Sequence, residues 1–325
     1  MTAELGSVAA SEQLISDLYI DLRRRINSWA AVTKQTAQAR MGYVGQHLVS
    51  IATGHPGGRS GARGRDLVIS PTEYGEIKTC YRVDQLGKCT ECGAATASIE
   101  QECSECGSTE IKRNDDSKWL ISIRHDDEYA AILEPKIYYL VLFDFTDMLR
   151  PDTVRASIWS VNPLDPGFAF CMIDYYENIR SASKSKAPFN LWPFQMKFDL
   201  MHPKLIYRSY IKPDDTIQTE IFPGRDAPVE PQDIDLTAYA RSKNLTPAKL
   251  LILASQLNLD GVELGSKNMM IATINAKIAQ LGIPTRSVID ALAYAVYWDA
   301  IEGHIQGLPE KLRNQLIEGG LIQGG

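Results

Sequence analysis

Two C-x-x-C-G sequences place the strongest constraint on what this chain can fold into. They run from Cys89 to Gly93 and from Cys103 to Gly107. Each predicts a tight turn that points both sulfurs at one position, and the glycine permits the left-handed backbone at its end. Two such turns supply the four thiolates of a structural zinc site. A redox-active C-x-x-C pair is the alternative, and the duplicated glycines disfavour it. We therefore predict a zinc-ribbon insertion at 87–109, with Zn²⁺ bound by Cys89, Cys92, Cys103 and Cys106.

The predicted ribbon has almost no apolar core of its own. Its middle, Ala94–Glu102, is small and polar, so the metal would hold the insertion together. A direct contact with DNA is the alternative, but glutamates outnumber the basic residues around the cysteines. We expect a structural or subunit-contact role for the zinc.

Composition places the chain among ordinary globular proteins. It has 325 residues, with 44% hydrophobic and 23% charged residues. No stretch approaches the roughly 20 apolar residues that span a bilayer, and the N-terminus has no pattern of a secretory signal. We expect a cytoplasmic protein that makes no membrane contact, with Cys80 and Cys171 as buried thiols.

The net charge of −6 conceals two blocks of opposite sign. Arg180–Lys212 is basic, and the stretch from Pro213 to Leu236 is acidic and proline-rich, which is typical of a linker. The basic block begins with a hydroxyl-rich loop that can donate hydrogen bonds to phosphates. Its candidate DNA-binding residues are Arg180, Lys184 and Lys186.

The periodicity of apolar residues predicts an α/β fold with a mixed sheet. The order is helix, strand hairpin, inserted module, strand, helix and buried strand, with helices again beyond Leu236. The predicted segments are helical 12–54, strands Asp66–Ser70, Tyr74–Arg82 and Trp119–Ile123, a helix at Asp126–Glu134, and strands Ile137–Phe145 and Val154–Val161.

Asp66, Glu76 and Lys78 form the pattern with most chemical content. Asp66 begins one predicted strand, and Glu76 and Lys78 share a face of the next because strand side chains alternate. Two carboxylates can hold Mg²⁺, with the Ile77 carbonyl as a further ligand, and a neighbouring lysine can activate water. An E-x-K triplet is also common on solvated strand faces. The upstream aspartate, the hairpin turn and the preceding arginine-rich glycine loop together favour the metal site.

These residues resemble the PD-(D/E)XK nuclease superfamily, and restriction endonucleases most closely, over roughly residues 30–160. Gly64–Val68 is similar to the "PD" motif, with Arg65 in place of proline, and Glu76–Lys78 is similar to the (D/E)XK motif. The resemblance implies a restriction-endonuclease-like core and Mg²⁺-dependent hydrolysis of double-stranded DNA that leaves 5′-phosphates. Asp66, Glu76 and Lys78 would be catalytic. Gln46 stands where some relatives place a glutamate, and would be a supporting residue.

Overall length and cysteine content are similar to those of the MamI-like restriction enzymes. That resemblance implies a homodimer that cuts an interrupted palindrome, together with a cognate DNA methyltransferase. A repair or resolvase-type nuclease is the alternative enzyme. A non-catalytic zinc-containing DNA-binding protein is the alternative from a different class.

The predicted domains follow from these assignments. They are a nuclease core at 1–160 that contains the ribbon at 87–109, a basic DNA-binding segment with an acidic linker at 161–236, and an α-helical domain at 237–325, either SAP-like or for dimerisation. The arginine-rich glycine loop adds three candidate DNA-binding residues, Arg59, Arg63 and Arg65.

Overall fold

The structure is a computed structural model. It describes residues 4–33, 35, 39–58, 65–96, 100, 102–113, 117–123, 131–132, 134–147, 152–173, 175–176, 180, 187–224, 235–240, 245–292, 294–296, 310 and 314. Most of the helix predicted at Asp126–Glu134 lies outside the described residues.

The chain divides into two compact units. The first contains Met1–Ile121, Pro135–Val161 and Lys204–Pro228, and the second contains Ser122–Glu134, Asn162–Pro203 and Val229–Gly325.

Helices open the first unit and dominate the second. A six-residue π-helical segment, Ser16–Asp21, joins the first two helices. The α-helices are α1 (Val8–Ile15), α2 (Leu22–Thr33), α3 (Met41–Thr53), α4 (Pro166–Ile173), α5 (Met196–Leu200), α6 (Pro247–Gln256) and α7 (Lys267–Leu281).

The strands are β1 (Leu67–Val68), β2 (Tyr74–Tyr81), β3 (Gly87–Cys89), β4 (Ala95–Thr96), β5 (Ile111–Lys112), β6 (Trp119–Ile121), β7 (Ile137–Phe145), β8 (Val154–Val161), β9 (Phe189–Leu191), β10 (Lys204–Ile211) and β11 (Ile217–Ile221). Six of them form one sheet in the order β1-β2-β7-β8-β10-β11. The β2–β7 pair is parallel and its neighbours are antiparallel. The predicted α/β fold with a mixed sheet is therefore confirmed.

One face of this sheet carries the hydrophobic core of the first unit. Tyr139, Val141 and Phe143 alternate along β7 toward this core, and α1 and α3 contribute Ile15 and Leu48 to it. Helix α3 lies very close to β2, because a Cβ at Gly45 would be 2.1 Å from the Thr79 hydroxyl oxygen. The glycine thus sets how closely the helix approaches the strand.

The opposite face carries polar side chains among buried apolar ones such as Leu140, Leu142 and Trp159. The register pairs Glu76 with Tyr138 and Asp144 with Arg155. Asp144 is buried, and Arg155 binds both of its carboxylate oxygens, at 3.0 and 2.6 Å. A charged network therefore occupies one end of this face, and Glu76 occupies the other.

Two strands of the sheet come from the segment for which the sequence predicted a basic stretch and an acidic linker. β10 alternates with Leu205, Tyr207 and Ile211 buried, and β11 pairs with it as the edge strand. The limits of the predicted domains stay a prediction.

In the second unit, the two helices α6 and α7 have well-formed N-termini. The Thr246 and Ser266 hydroxyls accept hydrogen bonds from the first turn of each helix. Leu250, Leu253 and Ile274 are buried. Among the described residues, no helix is both long and apolar enough to cross a membrane.

Candidate functional site

The structure brings Asp66 and Glu76 together at the start of the β1–β2 hairpin. Leu67 pairs with Gly75, so one further step along the ladder places Asp66 opposite Glu76. The Ile77 N–H donates to Asp66 Oδ2 at 2.9 Å. This bond fixes the aspartate against the strand that carries the glutamate. Two carboxylates that are ten residues apart in sequence therefore share one site.

Gln46 on α3 completes the surroundings of Asp66. Its Nε2 donates to Asp66 Oδ1 at 3.1 Å, so both aspartate oxygens accept a hydrogen bond. The resemblance singled out Gln46 as a supporting residue, and the structure places it in contact with the predicted metal ligand. An amide adds no negative charge here, which leaves two carboxylates at the site.

Glu76 and Lys78 lie side by side on the polar face of β2. Lys78 Nζ is 2.5 Å from Glu76 Oε1. The Lys78 side chain is 26% exposed and the Glu76 side chain is 14% exposed. Glu76 Oε2 is buried and has no hydrogen-bond partner within the described part of the chain. An unsatisfied buried carboxylate oxygen is costly, and a bound cation would satisfy it. The donor set and this oxygen therefore fit a divalent cation that prefers oxygen ligands.

Electrostatics at the site oppose the ionisation of Glu76 in the absence of metal. Burial raises the pKa of Glu76 above its ordinary value, the nearby Asp66 charge raises it further, and Lys78 partly offsets both. A bound cation would reverse this preference, because its positive charge favours the ionised carboxylate.

Tyr138 is a residue of the site that our sequence reasoning missed. It faces Glu76 across the parallel β2–β7 pair and is buried. Burial raises the pKa of Tyr138 well above its ordinary value, and the charges of Glu76 and Asp66 raise it too. The signal in the sequence was a pair of consecutive tyrosines, Tyr138 and Tyr139, in an apolar strand. Only the parallel pairing shows that Tyr138 is the one that faces Glu76.

Arg65 is the one candidate DNA-binding residue that the described structure places beside the carboxylates. Its guanidinium carbon lies 5.4 Å from the centre of the Tyr74 ring. Arg180 belongs to the second unit, where its guanidinium lies over Tyr176. The remaining candidates, Arg59, Arg63, Lys184 and Lys186, lie outside the described residues.

The four ribbon cysteines converge as the sequence predicted. Their sulfur atoms all lie within 4.8 Å of one another. The Cys89–Cys106 and Cys92–Cys103 sulfur distances are both 3.6 Å. Tetrahedral zinc with Zn–S bonds near 2.3 Å requires sulfurs about 3.8 Å apart, so the cluster fits this metal.

Backbone geometry explains the convergence. Gly93 and Gly107 adopt φ values of 76° and 73°, and their N–H groups donate to the carbonyls of Cys89 and Cys103. These left-handed turns are the ones that the glycines predicted. Strands β3, β4 and β5 pair in a small sheet around the cluster.

The thiol electrostatics favour a bound cation. The Cys92 N–H lowers the pKa of Cys89 to about 6. The Ser108 N–H lowers the pKa of Cys106, but the neighbouring sulfurs outweigh it and raise that pKa to about 12. Four sulfurs this close together cannot all become thiolates unless a positive charge lies between them.

The sheet, the carboxylate–lysine site and the four-cysteine ribbon define a mixed α/β protein with a candidate hydrolytic metal site. A family model described as the MamI restriction endonuclease matches residues 28–237. The chain belongs to the MamI restriction endonuclease family. The resemblance to MamI-like enzymes drawn from the sequence is therefore confirmed.

The similarity to a named relative is lower and covers half of each chain. The type II restriction enzyme MamI of Microbacterium ammoniaphilum is 24% identical over 169 residues, which are 50% of this chain and 49% of that enzyme. The match thus spans about half the length of the curated relative. No solved structure matches the chain.

Proposed function

We propose that this protein is a sequence-specific type II restriction endonuclease that hydrolyses double-stranded DNA with Mg²⁺ and leaves 5′-phosphates. The observation that carries the proposal is the convergence of Asp66 and Glu76, with Lys78 against Glu76, in a chain of the MamI family. The arrangement supports a PD-(D/E)XK active site on a restriction-endonuclease-like core.

Asp66, Glu76 and the Ile77 carbonyl would hold the metal. When bound, Mg²⁺ supplies charge neutralisation at the phosphate and lowers the pKa of a coordinated water. Gln46 and the Ile77 N–H hold the Asp66 carboxylate in place through its two oxygens. Lys78 hydrogen-bonds the attacking water and stabilises its deprotonated form.

The family relationship also supports double-stranded DNA as the substrate. A homodimer would place two such sites on the two strands of one duplex. A restriction enzyme of this kind requires a cognate methyltransferase that protects the host DNA. Zn²⁺ at the four cysteines would stabilise the ribbon and take no part in the cut.

Cleavage of plasmid DNA tests the enzyme assignment. With Mg²⁺ we expect discrete fragments from the wild type and a loss of rate on the order of 10²–10⁴-fold for Lys78→Ala, with a comparable loss for Asp66→Ala. Glu73→Ala is the matched control. The Glu73 carboxylate lies in the turn of the same hairpin, its side chain is 41% exposed, and it pairs with Lys136. Its cleavage rate should equal that of the wild type.

The products distinguish the alternatives. Ends that all carry one short sequence, and that ligase joins without prior phosphorylation, support a restriction enzyme that leaves 5′-phosphates. Cleavage that depends on DNA structure would indicate a repair or resolvase-type nuclease. Cutting by Asp66→Ala at the wild-type rate would contradict the catalytic assignment, and no cutting by the wild type would favour the non-catalytic DNA-binding protein.

A further inference from the structure

A single arginine stands next to the predicted catalytic site and has no ion pair within the described structure. Arg65 directly precedes Asp66 and is exposed. Lys78, by contrast, is in contact with the Glu76 carboxylate. An arginine that is not paired with an acid keeps its hydrogen-bond donors available for an anionic ligand.

The Tyr74 ring holds this arginine. The guanidinium carbon lies 5.4 Å from the ring centre, within the range of a cation–π contact. A guanidinium stacked on an aromatic ring still presents the edge of its planar donor group outward. The contact therefore limits the motion of the side chain and leaves its donors exposed.

The main chain that follows Arg65 is held by hydrogen bonds. The Gly58 N–H donates to the Asp66 carbonyl at 3.0 Å, and the Val68 N–H donates to the Pro56 carbonyl at 2.9 Å. Tyr74 itself is opposite Val68 in the β1–β2 ladder. Both partners of the cation–π contact are thus built on the hairpin that positions Asp66 and Glu76.

Spacing along β2 indicates which phosphate the arginine would meet. Tyr74 and Glu76 are two residues apart on one face of the strand, which is about 7 Å. Consecutive phosphates of a DNA strand are separated by a similar distance. If one phosphate of a DNA strand lies at Glu76, the next phosphate of that strand would therefore lie near the Tyr74 ring.

The charges at the site explain why a further cation such as Arg65 would favour DNA binding. Asp66 and Glu76 carry two negative charges when ionised, and Lys78 carries one positive charge, while Gln46 is neutral. Until a metal ion binds, the protein groups nearest the cut thus repel a DNA backbone. An added cation within the same hairpin offsets part of this repulsion.

We propose that Arg65, held on the Tyr74 ring, binds the DNA phosphate adjacent to the one that is cut. The ligand is a phosphodiester of double-stranded DNA, and the inference rests on the proposed nuclease function. Arg65 is a positioning residue in this scheme: it fixes the register of the backbone over the carboxylates. Tyr74 positions Arg65.

Salt-dependent DNA binding tests the proposal without cleavage. The probe is a duplex that spans a cut site mapped with the wild type, and binding is measured in Ca²⁺ between 50 and 200 mM salt. We expect Arg65→Ala to weaken binding roughly tenfold and to reduce the slope of log K against log[salt] by about 1. Arg65→Lys should keep the slope and recover part of the affinity, since it keeps the charge but loses the planar donor group.

Substitutions of Tyr74 test whether its ring positions Arg65. Tyr74→Phe keeps the aromatic face and should bind like the wild type. Tyr74→Leu should weaken binding in the wild-type background and have no further effect when Arg65 is already alanine. Lys136→Ala is the control, because this surface cation already pairs with Glu73 at 3.0 Å, and its salt slope should be unchanged.

The outcomes separate this inference from the proposed function. An Arg65→Ala protein with wild-type affinity and salt slope overturns the phosphate contact, even if Asp66→Ala abolishes cutting. A Tyr74→Leu protein that binds like the wild type overturns the supporting role of the ring. Wild-type cutting by Asp66→Ala and Lys78→Ala would instead overturn the nuclease assignment, whatever the binding data show.

Discussion

At the scale of single residues, the chain keeps a carboxylate where ionisation is disfavoured. Burial raises the pKa of Glu76, so its ionised form is less stable in the folded chain than in the unfolded one. The contribution of Glu76 to stability is therefore present at low pH and lost as the pH rises through the raised pKa. Glutamine cannot ionise. Without added Mg²⁺ we expect Glu76→Gln to melt about 2–4 °C above the wild type at pH 8, and the difference should vanish below pH 4.5. With Mg²⁺ present, the same variant should lose cleavage.

Glu73→Gln is the matched control for this melting experiment. The Glu73 side chain is partly exposed and pairs with Lys136, so its substitution should produce no such pH-dependent difference. A Glu76→Gln protein that melts below the wild type at pH 8 would show instead that the contact with Lys78 outweighs the cost of burial.

At the scale of elements, the site depends on how closely α3 lies against β2. Gly45 allows this approach, because a Cβ there would be 2.1 Å from the Thr79 hydroxyl oxygen. Gln46, the next residue, reaches Asp66 from the same helix. Gly45→Ala should cost about 1–3 kcal/mol in unfolding free energy and should reduce the cleavage rate, because α3 must move away from the strand. Denaturant unfolding and plasmid cleavage measure the two effects.

Two further variants isolate the contact between the helix and the strand. Gly42→Ala lies on the same helix, has no atom within 4 Å of the new Cβ, and should stabilise the helix by about 0.5–1 kcal/mol. Thr79→Ala removes the atoms that a Gly45 side chain would meet most closely, so the penalty of Gly45→Ala should shrink in that background. An equal penalty in both backgrounds would rule out this contact as its source.

At the scale of the whole molecule, the ribbon is joined to the sheet at both of its ends. β2 leads into it, and on the return the Ser117 hydroxyl donates to the Tyr81 carbonyl at 3.0 Å while the Trp119 indole donates to the Val141 carbonyl at 2.8 Å. Since β2 also carries Glu76 and Lys78, we expect loss of zinc to slow cutting without removing the catalytic groups. We expect elemental analysis to find one zinc per chain in the wild type and none in Cys92→Ser. That variant should retain most of its circular dichroism and cut more slowly.

Cys171→Ala is the control, because this buried cysteine lies in α4, outside the ribbon. It should keep one zinc per chain. A folded Cys92→Ser protein that also keeps one zinc per chain would contradict the four-cysteine site.

Local patterns in the sequence were enough to predict several features. The bounds of β7 and β8 agree with the predicted strands, and β2 ends one residue before its predicted limit. The cysteine turns also agree, because a C-x-x-C-G sequence with glycine in the left-handed region closes within a few residues. Strand alternation likewise put Glu76 and Lys78 on one face. All of these depend on interactions between residues near one another in the chain.

Only the tertiary structure decided which distant segments meet. The parallel pairing of β2 with β7 sets Tyr138 opposite Glu76, and the chain returns with β10 and β11 to extend the same sheet. Buried and less buried residues do alternate along β10. The choice of pairing partners, however, depends on the apolar area that the assembled sheet buries against α1 and α3, and no short stretch of sequence contains that information. Local patterns in the sequence were sufficient to identify the catalytic candidates and the candidate zinc ligands. The neighbours that tune their chemistry were decided by long-range packing.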